Sequence, residues 1–541
     1  MVSCDELLSA AGDCGWYQRR LVGLFVLPVC FYIPVAYLTV LMQLSLPDHW
    51  CHVPGRPENV SLQQWWNSTL PRDSFPDGTT VHSKCRMFRP SEESSWDTVS
   101  DDYDEGGSVV TQLYIESEQN ITDCLYGWEF DRSDFSETAP AAFLWVCDQF
   151  GQLTAIYSMH TVGNLLGSVV FGALSDRLGR RLLVFVVSAL MPVFNIVAVL
   201  VRNPMGFTVM RVLSSLCYPV IYQLVFTLGM EFTGVSWRTS YAVGVSIAFT
   251  LGMCAIPLVA YLVKDWVYLG IATSLPALLI IPCLWVVDES PRWLVAQGRL
   301  SAASDVLSRV ATANGLPPEP VTRLLRDADG PKAAPAHSPG LLALVRAAGP
   351  RLVKKAAAIT VCWVTNVIMY YGLMLSFSDM SGSLFVNFFL LSAVELPSNL
   401  LALYVCGRFG RRPTQLVFFV LSAAAMFGII PLKFVPGSGD AVTFLLMLGK
   451  FCTSLTFVVL YMQTAELYPT CVRSLGTGAS SLVGIGAGAV SPYILQLAAR
   501  HPTYPYAVFG AFGILGALSV SLLPETRGRP LPETMEDAEA Y

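Results

Sequence analysis

Two ionisable residues, Glu395 and Lys450, lie inside long apolar stretches of the chain. An ionised side chain is costly in hydrocarbon, so one that persists there marks a site for an ion, a substrate or a partner charge. Glu395 is therefore a candidate counter-charge for a cationic solute. Equally, Glu395 and Lys450 can pair with each other and serve structure or gating. The sequence leaves both interpretations open.

Three charged motifs occur twice, in the same order and about 235 residues apart. They read GALSDRLGRR and CGRFGRR, then EFTGVSWR and ELYPTCVR, then DESPRWL and PETRGR, beginning at residues 172 and 406, 231 and 466, and 288 and 524. A repeat of this length indicates a duplicated unit, and a path for a solute can form between two such units near the middle of a membrane.

The repeated acids and arginines are predicted to form an inner gate. Carboxylates and guanidinium groups at neighbouring helix ends can form charge-assisted bonds that hold one conformation and open in another. The alternative is that the arginines only anchor loops in the cytoplasm, an interpretation that suits acids less because acids contribute little to topology. The candidate gating residues are Asp176, Arg177, Arg180, Arg181, Glu231, Arg238, Glu289, Arg292, Arg408, Arg411, Arg412, Lys450, Glu466 and Arg473.

The elements that carry these charges are apolar. Of the 541 residues, 53% are hydrophobic and 14% are charged, less charge than a water-soluble protein of this length exposes. A membrane span needs about 20 apolar residues, and its backbone must be helical because lipid offers no hydrogen-bond partner. Twelve stretches qualify: 21–45, 149–172, 182–201, 205–230, 240–263, 266–287, 356–377, 383–406, 414–432, 441–464, 476–499 and 504–523. We therefore predict an all-α membrane protein of two pseudo-symmetric six-helix bundles.

Basic residues set the predicted orientation. Arg19 and Arg20 precede the first stretch, and the arginines of the GRR motifs follow the second and the eighth, which places this side and both termini in the cytoplasm of a plasma-membrane protein. The predicted parts are a cytoplasmic N-terminus, a first bundle with an extracellular domain, a cytoplasmic linker with short helices, a second bundle and a cytoplasmic tail. They cover residues 1–20, 21–287 with the domain at 46–148, 288–355, 356–523 and 524–541.

The segment 46–148 carries features of an extracellular compartment. It holds three glycosylation triplets, at Asn59, Asn67 and Asn120. It also holds four cysteines, an even number that suggests two disulfides with three possible connectivities; they are Cys51, Cys85, Cys124 and Cys147.

At these motifs the chain resembles the organic ion transporter family of the major facilitator superfamily, which comprises organic cation, organic anion and carnitine transporters. The resemblance covers essentially the whole chain and is carried by GWYQR at 15–19, CLYGWEF at 124–130, DESPRWL at 288–294 and ELYPT at 466–470. It implies facilitated transport of small organic ions by alternating access. The sequence has no phosphate-binding loop and no zinc-ligand spacing, so we expect neither an enzyme nor a cofactor or metal, and no nucleic-acid partner.

The resemblance also implies a substrate cavity lined by aromatic residues and one or two charges. Aligned on the motifs, the cavity positions are Tyr222, Phe249, Trp363, Tyr370, Glu395 and Ile485. Ile485 departs from the family pattern, since cation transporters carry Asp there and anion transporters carry Arg. Asn399 stands where anion transporters carry Lys. The departures favour organic cations or zwitterions; the alternatives are organic anion exchange and a membrane receptor or scaffold that has lost transport.

Overall fold

The computed structural model describes residues 4–58, 60–74, 80–89, 121–285, 287–327, 349–469, 473–528, 532 and 535–540. The chain divides into two compact units, residues 44–153 and the remainder. We describe each unit by itself.

Twelve apolar helices, named spans one to twelve, account for the twelve predicted stretches. Among the described residues, ten are long and apolar enough to cross a membrane; the other two are the 29-residue span two and the shorter span six. The spans are Trp16–Gln43, Phe150–Leu178, Arg180–Leu200, Pro204–Phe232, Arg238–Val263, Trp266–Ser274 with the 3₁₀ turns Leu275–Trp285, Pro350–Leu375, Leu384–Phe409, Arg411–Leu432, Gly439–Leu467, Arg473–Ala487 with short turns to Ala499, and Tyr504–Ser521.

The two halves repeat the same helix packing. Span one packs against spans five and six, as span seven packs against spans eleven and twelve. Span three packs against spans four and six, as span nine packs against spans ten and twelve. The duplication read from the charged motifs is therefore also a duplication of architecture, with spans five and eight in contact between the halves.

A glycine ends span two and another ends span eight. Gly179 has φ +100° and Gly410 has φ +103°, the left-handed region that glycine enters without strain. Each allows the next helix to begin at once, so that Arg180 and Arg411 are first residues of spans three and nine.

In each half, a segment that follows the last span caps the start of the first span of that half, which is span one or span seven. The side-chain oxygen of Asn314 accepts the backbone N–H of Tyr17 at 2.9 Å, near the start of span one. The carboxylate of Glu539 accepts the N–H groups of Arg351 and Leu352 at 2.8 and 2.7 Å, at the start of span seven. Side-chain acceptors at these places satisfy helix donors that have no partner within the helix.

Asn314 directly follows a short helix, and Glu539 lies within another. Pro291–Ala296, Leu300–Ala313 and Glu319–Asp327 follow span six, and Met535–Ala540 follows span twelve. The N-terminal helix Cys4–Ala11 packs against Leu300–Ala313 and Glu319–Asp327, with Leu7 and Leu8 buried among them.

The unit of residues 44–153 contains strands, which the sequence did not predict. They form three antiparallel pairs, β1 His49–Cys51 with β6 Trp128–Phe130, β2 Arg72–Ser74 with β3 Thr80–His82, and β4 Arg86–Phe88 with β5 Ile121–Asp123. The unit also contains the helices Leu62–Thr69 and Ala139–Phe143 and the 3₁₀ turn Cys147–Gln149, which leads into span two. The prediction of helical structure thus holds for the spans, while this unit is mixed.

Two disulfides bind this unit together, Cys51–Cys124 and Cys85–Cys147. Cys51 packs with the buried Val53, Trp65, Leu70 and Met87 in a small apolar core. A unit with so small a core gains stability from cross-links that restrict its unfolded chain. His49 lies close to the sulfur atoms of Cys85 and Cys147, but sulfurs already joined to each other offer no thiolate to a metal.

Candidate functional site

In the first half, the carboxylate of Glu289 binds the backbone at the start of span three. Glu289 accepts the backbone N–H of Arg180 at 3.0 Å and that of Arg181 at 3.2 Å. The side chain of Arg180 is then directed to other acids, with Nη2 3.0 Å from Asp176 and Nε 3.9 Å from Glu231. Negative charge is favoured at a helix N-terminus, because the first N–H groups of the helix point towards it.

The second half repeats this arrangement with Glu525. Its carboxylate accepts the N–H groups of Arg411 and Arg412, both at 2.9 Å, while Nη2 of Arg411 lies 2.8 Å from Glu466. Burial raises the pKa of the Glu525 carboxyl, but the N–H groups of Arg411, Arg527 and Arg412 more than offset this and hold the pKa below its ordinary value. Glu525 was not among the predicted gating residues, although its match to Glu289 in the third motif pair was a usable signal.

The remaining predicted gating residues lie around these two clusters. Arg292 is close enough to Glu231 for electrostatic attraction, and Nε of Arg473 donates to the carbonyl of Tyr468 at 3.2 Å. Arg238 begins span five, and Arg177 and Arg408 are exposed at the ends of spans two and eight. The structure therefore brings Asp176, Arg180, Glu231 and Glu289 together in one half, and Arg411, Glu466 and Glu525 in the other.

Glu395 and Lys450 form an ion pair between spans eight and ten, with 2.8 Å between Oε1 and Nζ. Span eight is interrupted at Val394, and Glu395 begins its second helical segment. The hydroxyl of Tyr370 donates to Glu395 at 2.7 Å, and Nζ of Lys450 lies 3.2 Å from the centre of the Tyr370 ring. Lys450 is 0% and Glu395 7% exposed, so the two charges neutralise each other where water does not screen them.

The predicted cavity aromatics fall in two groups, one in each half. In the first, Tyr222 and Phe249 meet edge to face with ring centres 5.3 Å apart. In the second, the Trp363 ring lies 5.6 Å from that of Phe457, which lies 5.3 Å from that of Tyr370. Trp363 is fully buried and its Nε1 donates to Thr464 at 3.0 Å, so it packs within the second bundle.

Tyrosines that the sequence reasoning did not select join the two groups. Tyr218 of span four stacks on Tyr37 of span one, and it interacts electrostatically with Tyr371 and Tyr461 of the second half. The spacing of aromatic residues shows which face of a helix they share, but it does not show what that face contacts. No signal in the sequence therefore distinguished these rings from ordinary packing residues. Together they form an aromatic surface shared by spans one, four, seven and ten.

Ile485 is half-buried in span eleven, next to both halves. A β-carbon added to Gly484 would lie 3.0 Å from Cβ of Trp363, and one added to Gly486 would lie 3.3 Å from Cδ2 of Leu165 in span two. Asn399 follows Glu395 by one helical turn and is also half-buried.

Spans two and eleven contact each other across the two halves. Oγ of Ser158 donates to the carbonyl of Ala489 at 2.8 Å, and Leu165 approaches Gly486. Towards the end that carries the GRR motifs, a β-carbon built at Gly172 or Gly478 meets no atom of the described residues within 4 Å. The described contacts between the two spans therefore lie away from the charged clusters.

Two repeated bundles, an aromatic surface shared by spans of both halves and matching charge clusters are features of a secondary transporter. The family model "Sugar (and other) transporter" matches residues 115–538. The chain is 32% identical to the human "Organic cation/carnitine transporter 2", over 98% of this chain and 93% of that protein, and 34% identical to the human "Solute carrier family 22 member 7", over 99% and 96%. The mouse "Solute carrier family 22 member 21" is 32% identical over 99% and 93%. The chain belongs to the solute carrier 22 family of organic ion transporters, as its motifs predicted.

Solved structures agree on the fold. The "Inward open conformation of the xylose transporter XylE from E. coli" matches with a TM-score of 0.55 and 19% identity, over 72% of this chain and 88% of that one. A partially occluded inward-open conformation of the same transporter matches with a TM-score of 0.53 and 17% identity, over 71% and 90%. The predicted twelve-helix major facilitator fold is confirmed, and the protein is a transporter and not an enzyme.

Proposed function

We propose that this transporter carries small zwitterions or monovalent organic cations along the aromatic path, and that zwitterions fit it best. The observation that carries the proposal is the ion pair of Glu395 and Lys450 beneath the Tyr370 ring. With Ile485 neutral, the predicted cavity positions and Lys450 together have no net charge. An environment of this kind balances a solute that brings one charge of each sign.

The three side chains supply complementary contacts for the two ends of such a solute. A quaternary or primary ammonium group can lie beside the Glu395 carboxylate and over an aromatic face such as that of Tyr370. A solute carboxylate can take a place beside Nζ of Lys450, which at present has Glu395 at 2.8 Å. The name of the relative "Organic cation/carnitine transporter 2" is consistent with this class of solute.

We further propose that the Glu289 and Glu525 clusters form the inner gate. Each cluster joins the segment after the sixth span of its half to the start of the third. In this structure, these bonds lie within each half. Closure of the path requires charges such as those of Arg177 and Arg408, which are exposed at present, to find partners in the opposite half.

The orientation completes the proposal. The clustered arginines and both termini face the cytoplasm of a plasma membrane, and the unit of residues 44–153 lies outside the cell. Its two disulfides and its exposed Asn67 suit an oxidising compartment in which glycosylation takes place.

The test is saturable uptake by cells that express the full chain, with surface abundance measured in parallel. Three probes are compared: a trimethylammonium carboxylate, a tetraalkylammonium and an aryl carboxylate. We expect the first to be taken up fastest and the last slowest. Preference for the aryl carboxylate supports organic anion exchange instead. No saturable uptake of any probe by protein at the surface supports a receptor or scaffold.

A further inference from the structure

Arg211 of span four is a buried positive charge with neutral partners. Its side chain is 2% exposed; Nη1 donates to Oδ1 of Asn195 at 3.1 Å and Nη2 donates to Oε1 of Gln43. The guanidinium also lies 5.2 Å from the centre of the Phe207 ring. No carboxylate of a described residue forms an ion pair with it.

Arg211 lacks the counter-charge that Lys450 has. Lys450 is equally buried, yet Glu395 neutralises it at 2.8 Å. A guanidinium remains protonated in proteins, so Arg211 cannot escape the cost of burial by losing a proton. A charge held in an apolar bundle without a counter-charge is costly, and amide oxygens supply only part of the compensation.

Two hydrogen-bond donors at the same place have no acceptor. Nε of Arg211 and Nδ2 of Asn195 are both buried and have no hydrogen-bond partner in the part of the chain that the structure describes; Asn195 is 3% exposed. The amide of Asn195 is fixed in this orientation because its Oδ1 accepts from both Arg211 and Ser214, the latter at 2.7 Å. Two unpaired N–H donors beside a unit positive charge are suited to bind an anion.

The surroundings of Arg211 supply no negative charge. His160 of span two is near enough to interact electrostatically with Arg211, and it stacks on Tyr37 with ring centres 4.6 Å apart. Gln43 of span one uses its Nε2 to donate to the carbonyl of Trp266 at 2.7 Å, which leaves its oxygen for Arg211. No group in this set can supply a negative charge by ordinary titration.

We propose that Arg211 and Asn195 form a binding site for a small monovalent anion, chloride in the cell, enclosed within the first bundle. One bound anion neutralises the guanidinium and accepts from the two unpaired donors. The site shares no residue with the proposed path for the solute, so either proposal can fail without the other. A carboxylate of a solute has the same charge, but the burial of Arg211 and Asn195 favours a single-atom halide.

The test uses the purified full chain in detergent, without any transported solute. Thermal unfolding is followed while sodium gluconate is replaced by sodium chloride at constant ionic strength, and in a parallel series by sodium acetate. We expect chloride to raise the unfolding temperature in a saturable manner, because a ligand that binds only the folded state stabilises it. Absence of a chloride effect, or an effect of acetate without one of chloride, overturns the assignment.

Two variants make the result specific. Asn195→Asp places a carboxylate against Arg211, so we expect it to abolish the response to chloride while it keeps the unfolding temperature at or above that of the chloride-saturated parent. Arg309→Gln removes an exposed arginine that already has Asp288 at 2.7 Å, so the chloride response should persist. A full chloride response in Asn195→Asp contradicts the proposal.

Discussion

The carboxylate of Glu525 accepts the backbone N–H of Arg411 at 2.9 Å, and thereby joins the chain after span twelve to the first residue of span nine. Glu289 does the same for Arg180 at 3.0 Å in the other half. In both clusters the main chain of the arginine satisfies one acid, and its side chain is left to bind another. Under the proposed function, the main chain of each arginine positions the helix and its side chain takes part in the gate.

Removing the charge of Glu525 should weaken the start of span nine. Glu525→Gln retains an acceptor oxygen but loses the negative charge, so we expect a loss within the range of about 0.5–2 kcal/mol that helix capping contributes. The measurement is thermal unfolding of the purified protein, with Glu536→Gln in an exposed part of the tail as control.

The same comparison has a pH dependence of known sign. The pKa of Glu525 is lowered on folding, so its stabilisation is present above the unfolded-state pKa of about 4.3 and is lost as the pH falls through the folded-state value. The difference between parent and Glu525→Gln should therefore shrink in acid. A difference that is unchanged from neutral pH to a pH about 2 units below the ordinary carboxyl pKa of about 4.3 would mean that the carboxylate charge contributes nothing.

The pair of Arg411 and Glu466 should act as a unit in transport. Arg411→Gln and Glu466→Gln are each expected to slow uptake per molecule at the cell surface, because each removes one side of a 2.8 Å contact at the gate. In the double variant the loss should be smaller than the product of the single losses, since the interaction can be lost once only. Arg500→Gln, in the loop after span eleven, is the control; strictly multiplicative losses would show that the two residues act independently.

Lys450 and Glu395 should control the preference for charge. Lys450→Met leaves a lone carboxylate in the path and is expected to raise the uptake of a tetraalkylammonium relative to a trimethylammonium carboxylate. Glu395→Gln should depress both. Removal of one partner from a buried pair commonly costs about 3–5 kcal/mol of stability, so surface abundance is measured alongside. The double variant Glu395→Gln with Lys450→Met is the control for folding, and a parental order of substrates in Lys450→Met would exclude this pair from selection.

Ile485 is predicted to face the solute. A unit charge about 4 Å from a solute charge contributes up to ~4 kcal/mol at an effective dielectric near 20. Ile485→Asp should therefore favour monovalent cations over zwitterions, and Ile485→Arg should strongly depress cation uptake. Ile485→Leu controls for a change of shape alone. If both charged variants reach the surface and keep the parental order of substrates, Ile485 does not line the path.

The orientation can be tested through glycosylation. Asn67 is exposed and its Oδ1 accepts from Arg72 at 2.8 Å, whereas Asn59 and Asn120 lie outside the described residues. Combined Asn→Gln changes at the three positions should reduce the mass on a gel to that of the protein treated with glycosidase. Unchanged mobility under both treatments would refute an extracellular location for residues 44–153.

Long-range features of the fold were predictable because they have a period or a repeat. An apolar run of membrane length specifies a helix, and the recurrence of Glu231 at Glu466 specifies a duplicated bundle. The pairing of Cys51 with Cys124 was not predictable, since a count of four cysteines allows three connectivities. The three-residue strands around them are also too short to show an alternating pattern.

The candidate site was predictable in residue type and less so in environment. An acid and a lysine in apolar runs left pairing and solute contact equally open, and the 2.8 Å distance shows that they are paired in this conformation. The burial of Trp363 against Thr464 depends on how spans seven and ten rotate towards each other, which no single span encodes. Which side chains touch the solute stays a prediction.

The caps on spans one and seven have a consequence for how the protein could be divided. Asn314 binds the start of span one from within the same half, and Glu539 does so for span seven. In each half, the segment after the last span is therefore bound to the start of the first. A cut in the chain between residues 327 and 349 would leave each of these caps within a single half. Two separately synthesised halves would therefore each retain the cap on their own first span, and would need only to associate in the bilayer.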